Sequence, residues 1–335
     1  MVLFNLQSLF INCFVCFYLL VEIIGLYDLC FSTFIEFNGY KKRNNRDAIT
    51  SLYLGEKVKT KDVKIAILRI EGTNCEQESY DAFKRLGASP EFVHLKQLLN
   101  IDCDKNEKRD IFQYQCLMVP GGFSAGDYIR AGAIFAARIK SKLQNDLIEF
   151  VKQEYPILGV CNGFQVLTEL GLLPGIDTIA TPFPDSCLNI NDSNRFECRP
   201  TLLKHENNGK CVFTSKIPKN DVLLIPTAHA EGKLLFPLDK QEEYLKKLER
   251  NDQIVFRYVD PDGKYAGYPW NPNGAVFNIA GICNHIGNVF GMMPHPERTF
   301  YKHQHPDWTK TGLNSNLGDG RAVFESVLDY ICKRF

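Results

Sequence analysis

The sequence predicts an α/β fold, an open and mostly parallel β-sheet flanked by helices, and three observations lead there. From Lys64 onward short apolar runs alternate with amphipathic stretches, the pattern of strands buried on both faces and joined by covering helices. Two of the runs end in glycine-containing turns, at Pro120-Gly121-Gly122 and at Cys161-Asn162-Gly163. With 335 residues, 45% of them hydrophobic and 23% charged, the chain can bury a sizeable core, which excludes disorder, collagen and a small disulfide scaffold.

Taken in order, Lys64–Ile70 (KIAILRI) reads as a buried strand. Glu76–Leu86 follows as a helix, with Tyr80, Phe83 and Leu86 on one face and Gly87 as its stop. Glu91–Leu95 is a second strand, and Cys116–Val119 a third that runs into the Gly-Gly turn. Helices are expected over Ala133–Lys142 and Asn145–Glu154, then a strand over Pro156–Val160 and a helix from Phe164 to Leu170. Val222–Ile225, Ile254–Tyr258 and Val289–Met293 are strand-like, but the stretch from Gly175 to Arg257 yields no detailed topology. In sheets of this kind ligands collect beyond the carboxyl ends of the strands. The chemistry is therefore expected at Glu71–Cys75, Gly121–Asp127 and Cys161.

Thirty-nine Lys+Arg balance thirty-nine Asp+Glu, so the electrostatic footprint of phosphate-backbone binding is missing and no nucleic acid is expected as partner. Most of the twelve cysteines fall singly, as scattered thiols of a cytoplasmic protein do. The one C-x-x-C, Cys13 and Cys16, lies in an apolar run without a second ligand pair, so no metal site is expected. That run, residues 9–27, is long enough to span a bilayer, yet no basic residue precedes Lys41, which disfavours a secretory signal. Residues 1–62 read as an N-terminal extension, its apolar segment 9–27 followed by a basic linker from Lys41 to Asp62. A dispensable extension, a membrane anchor and an added buried helix all fit it. Were the segment to insert, the basic cluster would leave the rest on the cytoplasmic side. Residues 63–335 form the catalytic domain.

Gly159-Val160-Cys161-Asn162-Gly163, between a strand and a helix, is a nucleophile-elbow pattern with cysteine as the nucleophile. The elbow presents the thiol above the sheet, and the helix N-terminus favours its thiolate. The backbone N–H of Asn162 is placed to donate to an oxyanion. His295 and Glu297, two apart near the end of the Val289–Met293 strand, are expected to point to the same side. The carboxylate would then fix the imidazole as a general base. Gly122, in the glycine turn after a strand, is a second candidate oxyanion donor. A phosphate loop is the rival reading of that turn, but the G-x-x-x-x-G-K-[ST] spacing is missing.

Together these motifs resemble the class I, triad-type glutamine amidotransferases, whose sheet is flavodoxin-like. The resemblance narrows to the glutaminase subunits of phosphoribosylformylglycinamidine synthase through GTNCEQE (72–78), PGGFSAGDYIRAGA (120–133), GVCNGFQVLTELGLLPG (159–175), NRFECR (194–199), HAEGK (229–233), NPNGA (271–275) with NIAGICN (278–284), and MMPHPER (292–298). It runs from Val63 to the C-terminus. Ala125 stands where an aromatic residue is usual and Ala230 where glycine is common, residues 200–250 match poorly, and residues 1–62 have no counterpart.

The resemblance implies a catalytic triad of Cys161 as nucleophile, His295 as acid/base and Glu297 as its orienter, with Gly122 and Asn162 at the oxyanion positions. It implies glutamine as substrate and ammonia passed to a separate synthetase subunit that uses ATP and Mg, with a small accessory subunit as a further partner. No cofactor is expected on this chain. Three alternatives stay open at this level: an amidotransferase of another pathway, a γ-glutamyl hydrolase-like cysteine hydrolase, and a regulatory subunit that has kept the fold.

Overall fold

A computed structural model of the chain describes residues 58–306, 308–309 and 317–335, all within one unit, Lys57–Phe335. The apolar segment 9–27, and the linker as far as residue 57, lie outside the described residues. Val58 packs against the core, and Thr60–Asp62 forms a 3-10 turn leading into the first strand.

The strands are β1 (Lys64–Arg69), β2 (Ser89–His94), β3 (Cys116–Val119), β4 (Ile157–Val160), β5 (Cys187–Asn189), β6 (Glu197–His205), β7 (Val222–His229), β8 (Lys233–Leu235), β9 (Ile254–Val259), β10 (Ile279–Cys283) and β11 (Val289–Met292). The helices are α1 (Glu76–Arg85), α2 (Leu95–Leu99), α3 (Ala133–Lys152), α4 (Asn162–Glu169), α5 (Gln241–Arg250) and α6 (Arg321–Arg334). Nine strands form one sheet in the order β2-β1-β3-β4-β11-β10-β9-β6-β7, and β5 pairs with β8. From β2 to β11 neighbours are parallel, and from β11 to β7 they are antiparallel.

The parallel half consists of runs such as Cys116-Leu-Met-Val119 and Ile157-Leu-Gly-Val160, buried at every position. Continuous burial requires cover on both faces. Strand order grows one way from β1 to β2 and the other way from β3 to β4, so right-handed crossovers place α1 and α3 on opposite faces. Accordingly α1 meets α6, where the rings of Phe83 and Phe324 stand edge to face at 5.2 Å, while α3 lies against α2 and α4.

Two expectations are refined. Residues 133–152 are one helix, whose buried Phe135, Ile139, Leu143, Leu147 and Phe150 continue a single stripe. No glycine or proline interrupts them. In the stretch without predicted topology, β6 and β7 form a long antiparallel pair from Glu197↔His229 to Lys204↔Val222. Burial along β6 largely alternates, as for strands with one face toward the core.

Among the described residues no helix is long and apolar enough to cross a membrane.

Candidate active site

The register of the parallel strands assembles the site. Val119 and Gly291 both stand beside Gly159, and Met292 beside Val160, so β3, β4 and β11 end together. The turns that leave them carry Gly121 and Gly122, Cys161, and His295. The Glu71–Cys75 segment leaving β1 joins them through an antiparallel bridge between Thr73 and Gly122. All of these segments leave the carboxyl ends of their strands, the side on which ligands bind in such sheets, and the point where strand order reverses, between β1 and β3, adjoins them.

Cys161 sits between β4 and α4 with φ 51° and ψ −110°, a conformation rare for a side chain with a Cβ. The chain turns this sharply because the backbones crowd: a Cβ on Gly163 would stand 1.8 Å from the carbonyl oxygen of Val119. The expected exposure of the thiol is not found. Cys161 is 5% exposed, because β7 lies over it and its Sγ meets the carbonyl oxygen of Ala228 at 3.6 Å.

His295 and Glu297 do form a pair, but not by strand parity. β11 ends at Met292, and Pro294 and Pro296 cannot donate to a continuing ladder. His295 caps a 3-10 turn, Pro296–Thr299, that carries Glu297 back to it. Nδ1 of His295 donates to Oε1 of Glu297 at 2.6 Å, and both residues are buried. Burial opposes protonation of the ring. The Glu297 carboxylate and then Cys161 outweigh it, holding the imidazole well above its ordinary pKa. With Nδ1 occupied, Nε2 is left for proton exchange and makes no hydrogen bond among the described residues.

The oxyanion candidates are both at hand. The bridge bonds run from Phe123 N–H to Gly72 and from Asn74 N–H to Gly121, so this ladder does not use the N–H of Gly122. Gly122 has φ +140°, and a Cβ there would come within 2.6 Å of Asn74 N, so glycine is required. Asn162 opens α4, where first-turn N–H groups lack helical partners. Its side chain ties the two segments together, accepting from Ser124 N at 3.2 Å and donating to Asp127 at 3.3 Å and Gln165 at 2.9 Å. Burial, then the charge of Glu231, pushes the Asp127 carboxyl up to about 6.

Several residues of the site have no role assigned from sequence. Gly121 lies between the reacting groups: a Cβ there would stand 2.8 Å from Cε1 of His295, 3.2 Å from Sγ of Cys75 and 3.3 Å from Cβ of Cys161. Cys75 thus faces the site from the start of α1, and Arg298 donates to its Sγ at 3.1 Å. Burial pushes its thiol up despite His295 nearby. His229, the last residue of β7, is buried between Asn191 Oδ1, 3.1 Å from its Nδ1, and Asn273 Nδ2, 3.4 Å from its Nε2. Burial and the neighbouring His295 lower it to about 3, so it stays neutral and steadies the strand end beside Ala228. Cys75, His229 and Asn273 lie in quoted sequence blocks, which is the signal that marks them. Their placement against the triad needs the fold.

The comparisons agree with this geometry. The CobB/CobQ-like glutamine amidotransferase domain matches residues 62–331. A phosphoribosylformylglycinamidine synthase subunit PurQ of Archaeoglobus fulgidus is 57% identical over 274 residues, 81% of this chain and 98% of that one. The PurQ of Picrophilus torridus is 46% identical over 261 residues, 77% of this chain and 94% of its own. Among solved structures, that of PurLQS from Thermotoga maritima superposes with a TM-score of 0.58 at 30% identity, over 80% of this chain and 99% of that chain. A match of this extent, with relatives covered over nearly their whole length, places the chain in the CobB/CobQ-like glutamine amidotransferase family, in the group that holds the PurQ subunits of phosphoribosylformylglycinamidine synthase.

Proposed function

We propose that this chain is the glutaminase subunit of a cytoplasmic phosphoribosylformylglycinamidine synthase in purine biosynthesis. In this reading Cys161, His295 and Glu297 are its catalytic triad, and Gly122 and Asn162 supply its oxyanion donors. The Cys161 thiolate attacks the side-chain amide carbon of glutamine, and the imidazolium of His295 gives its proton to the departing ammonia. A γ-glutamyl thioester remains on Cys161. A water molecule gives a proton to His295 as it attacks the thioester. Glutamate leaves and the thiol is restored. The N–H groups of Gly122 and Asn162 face the charge that develops on the carbonyl oxygen in both steps. The ammonia is consumed by a separate synthetase subunit, which is where ATP and Mg are used, and a small accessory subunit completes the assembly.

The observation that carries the reading is the convergence of Gly122, Cys161 and the His295–Glu297 pair at the aligned ends of β3, β4 and β11. The names of the relatives support the choice of synthase. The test is amidine formation by the chain assembled with a synthetase subunit, with glutamine or ammonium chloride as nitrogen donor. Cys161→Ala should lower the glutamine-supported rate at least about 10³-fold and leave the ammonia-supported rate intact. Equal loss of both rates would overturn the assignment.

A further inference from the structure

Arg298 is assigned no part in the proposed chemistry, yet it ties together the two turns that carry it. Its guanidinium donates through Nη2 to Sγ of Cys75 at 3.1 Å and through Nε to Oε2 of Glu78 at 3.3 Å. Arg298 directly follows Glu297 in the 3-10 turn Pro296–Thr299, and its backbone N–H returns to the carbonyl of His295 at 3.2 Å. Cys75 stands at the N-cap of α1, and Glu78 lies in the first turn of that helix. The N–H groups of Asn74 and Cys75 both donate to the carbonyl of Gly121, at 3.3 and 3.2 Å. Gly121 is the residue before the oxyanion candidate Gly122. A continuous path therefore runs from the turn of His295 and Glu297, through one guanidinium and the start of α1, to the glycine turn. Cys75 closes it, because its Sγ lies within 4.8 Å of a donor atom of His295 and of Glu297, and a Cβ on Gly121 would stand 3.2 Å from that sulfur.

Stability does not account for an arginine here. A cation at a helix N-terminus works against the helix dipole, and the side chains of Arg298 and Glu78 are 34% and 44% exposed, where an ion pair adds little to folding. The planar fork does account for it, since two donors on one rigid group engage a sulfur and a carboxylate at once, which the point charge of a lysine does not reproduce. We propose that Arg298 is a positioning residue of the glutaminase: by clasping Cys75 and Glu78 it holds the turn of His295 and Glu297 in register with the turn of Gly121 and Gly122. The acid/base and one oxyanion donor then stay aimed at the same carbonyl group. This role rests on the catalytic reading given above.

The experiment uses the full chain with a synthetase partner and either glutamine or ammonium chloride as nitrogen donor. Wild type is compared with Arg298→Ala, Arg298→Lys, Glu78→Ala and the double variant of Arg298→Ala with Glu78→Ala. Arg298→Ala should lower kcat with glutamine about 10- to 100-fold, the cost of reacting groups held slightly out of place. The KM for glutamine should change less than about twofold, and the ammonia-supported rate should stay at the wild-type value. Arg298→Lys keeps the charge but not the fork, and should remain at least about fivefold below wild type. Glu78→Ala should also lower kcat, and the double variant should lose no more than Arg298→Ala alone, because both changes break one contact. A wild-type kcat in Arg298→Ala would overturn the clamp, as would additive losses in the double variant or an equal loss of the ammonia-supported rate. A loss carried by KM would make Arg298 a ligand of the substrate instead, which also overturns it. Should Arg298→Ala not fold, Arg298→Lys and Glu78→Ala decide the matter, and wild-type kcat in both overturns the role. Cys161→Ala separates the two levels: if it is inactive with glutamine, a wild-type Arg298→Ala removes the clamp alone, whereas an active Cys161→Ala removes the catalytic reading itself.

Discussion

Nδ1 of His295 stands 2.6 Å from Oε1 of Glu297, and neither residue is more than 3% exposed. Removing the carboxylate while keeping the shape therefore leaves a buried imidazole without the charge that sustains its protonated form. Glu297→Gln should retain more glutaminase activity than His295→Ala, by about one to two orders of magnitude, since it disturbs orientation and charge but leaves the proton carrier. The carboxylate raises the imidazole pKa, so its loss should move the alkaline limb of the kcat/KM profile to lower pH. A Glu297→Gln profile that superposes on the wild type would show that the pair is not coupled to the chemistry.

Strain at the elbow gives a second expectation. Cys161 has φ 51° and ψ −110°, a conformation that costs a residue with a Cβ about 1–3 kcal/mol. Glycine relieves that cost but loses about 0.5–1 kcal/mol of chain entropy. Cys161→Gly should therefore be more stable than Cys161→Ala by about 1 kcal/mol, both being inactive with glutamine. Urea unfolding of the two variants measures the difference, and an alanine variant as stable as the glycine one would mean the turn relaxes without its thiol.

Much of this site was legible in the residues alone, for a physical reason. β1, β3, β4 and β11 are continuous apolar runs because both faces are covered, and the turns that leave β3 and β4 need glycine for close approach. Composition thus marks the strands and the places where chemistry emerges. His295 and Glu297 were paired correctly from spacing, but the reason was parity in a strand, whereas two prolines and a 3-10 turn make the pair. Val222–Ile225 read as strand-like, but β6 and the continuation of β7 to His229 did not, because each carries a proline, Pro200 and Pro226, and β6 shows one face to the core. Cys75 closes the Glu71–Cys75 segment where chemistry is expected, but its own place in the site could not be read, because Gly121, Cys161 and His295 are 46 or more positions away along the chain.

Asp127 titrates against its surroundings. Its carboxyl is pushed up to about 6 by burial and by Glu231, against an ordinary value of about 3.9. Below about pH 4 it is neutral folded or unfolded. As pH rises toward 6, only the unfolded chain ionises, so the folded state binds more protons and stability falls. Asp127→Asn should raise the melting temperature, more at pH 8 than at pH 5, with the gain reduced by solvent screening at this half-buried position. Asn also tolerates the positive φ of 51° at this residue, but that benefit does not vary with pH. An equal gain at both pH values would assign the effect to backbone conformation alone.

The N-terminal boundary makes the last expectation. The first sheet strand begins at Lys64, and three contacts tie the residues just before it to the domain. Val58 packs on the core, Thr60 Oγ1 lies 3.7 Å from Sγ of Cys332 on α6, and Ser89 on β2 donates to the carbonyl of Lys61 at 2.7 Å. A chain starting at Val58 keeps all three contacts and every strand of the sheet, and it should fold, stay monodisperse and support glutamine-dependent synthesis with a synthetase partner. A chain starting at Val63 loses the packing of Val58 and the turn that caps the β1–β2 edge, and should melt about 2 °C lower, as a loss of about 1 kcal/mol does in a domain of this size. Gel filtration and thermal unfolding of the two truncations decide it. Aggregation of the Val58 chain would show that residues 1–57 cover apolar surface of the domain, and equal melting temperatures would place the boundary at Val63.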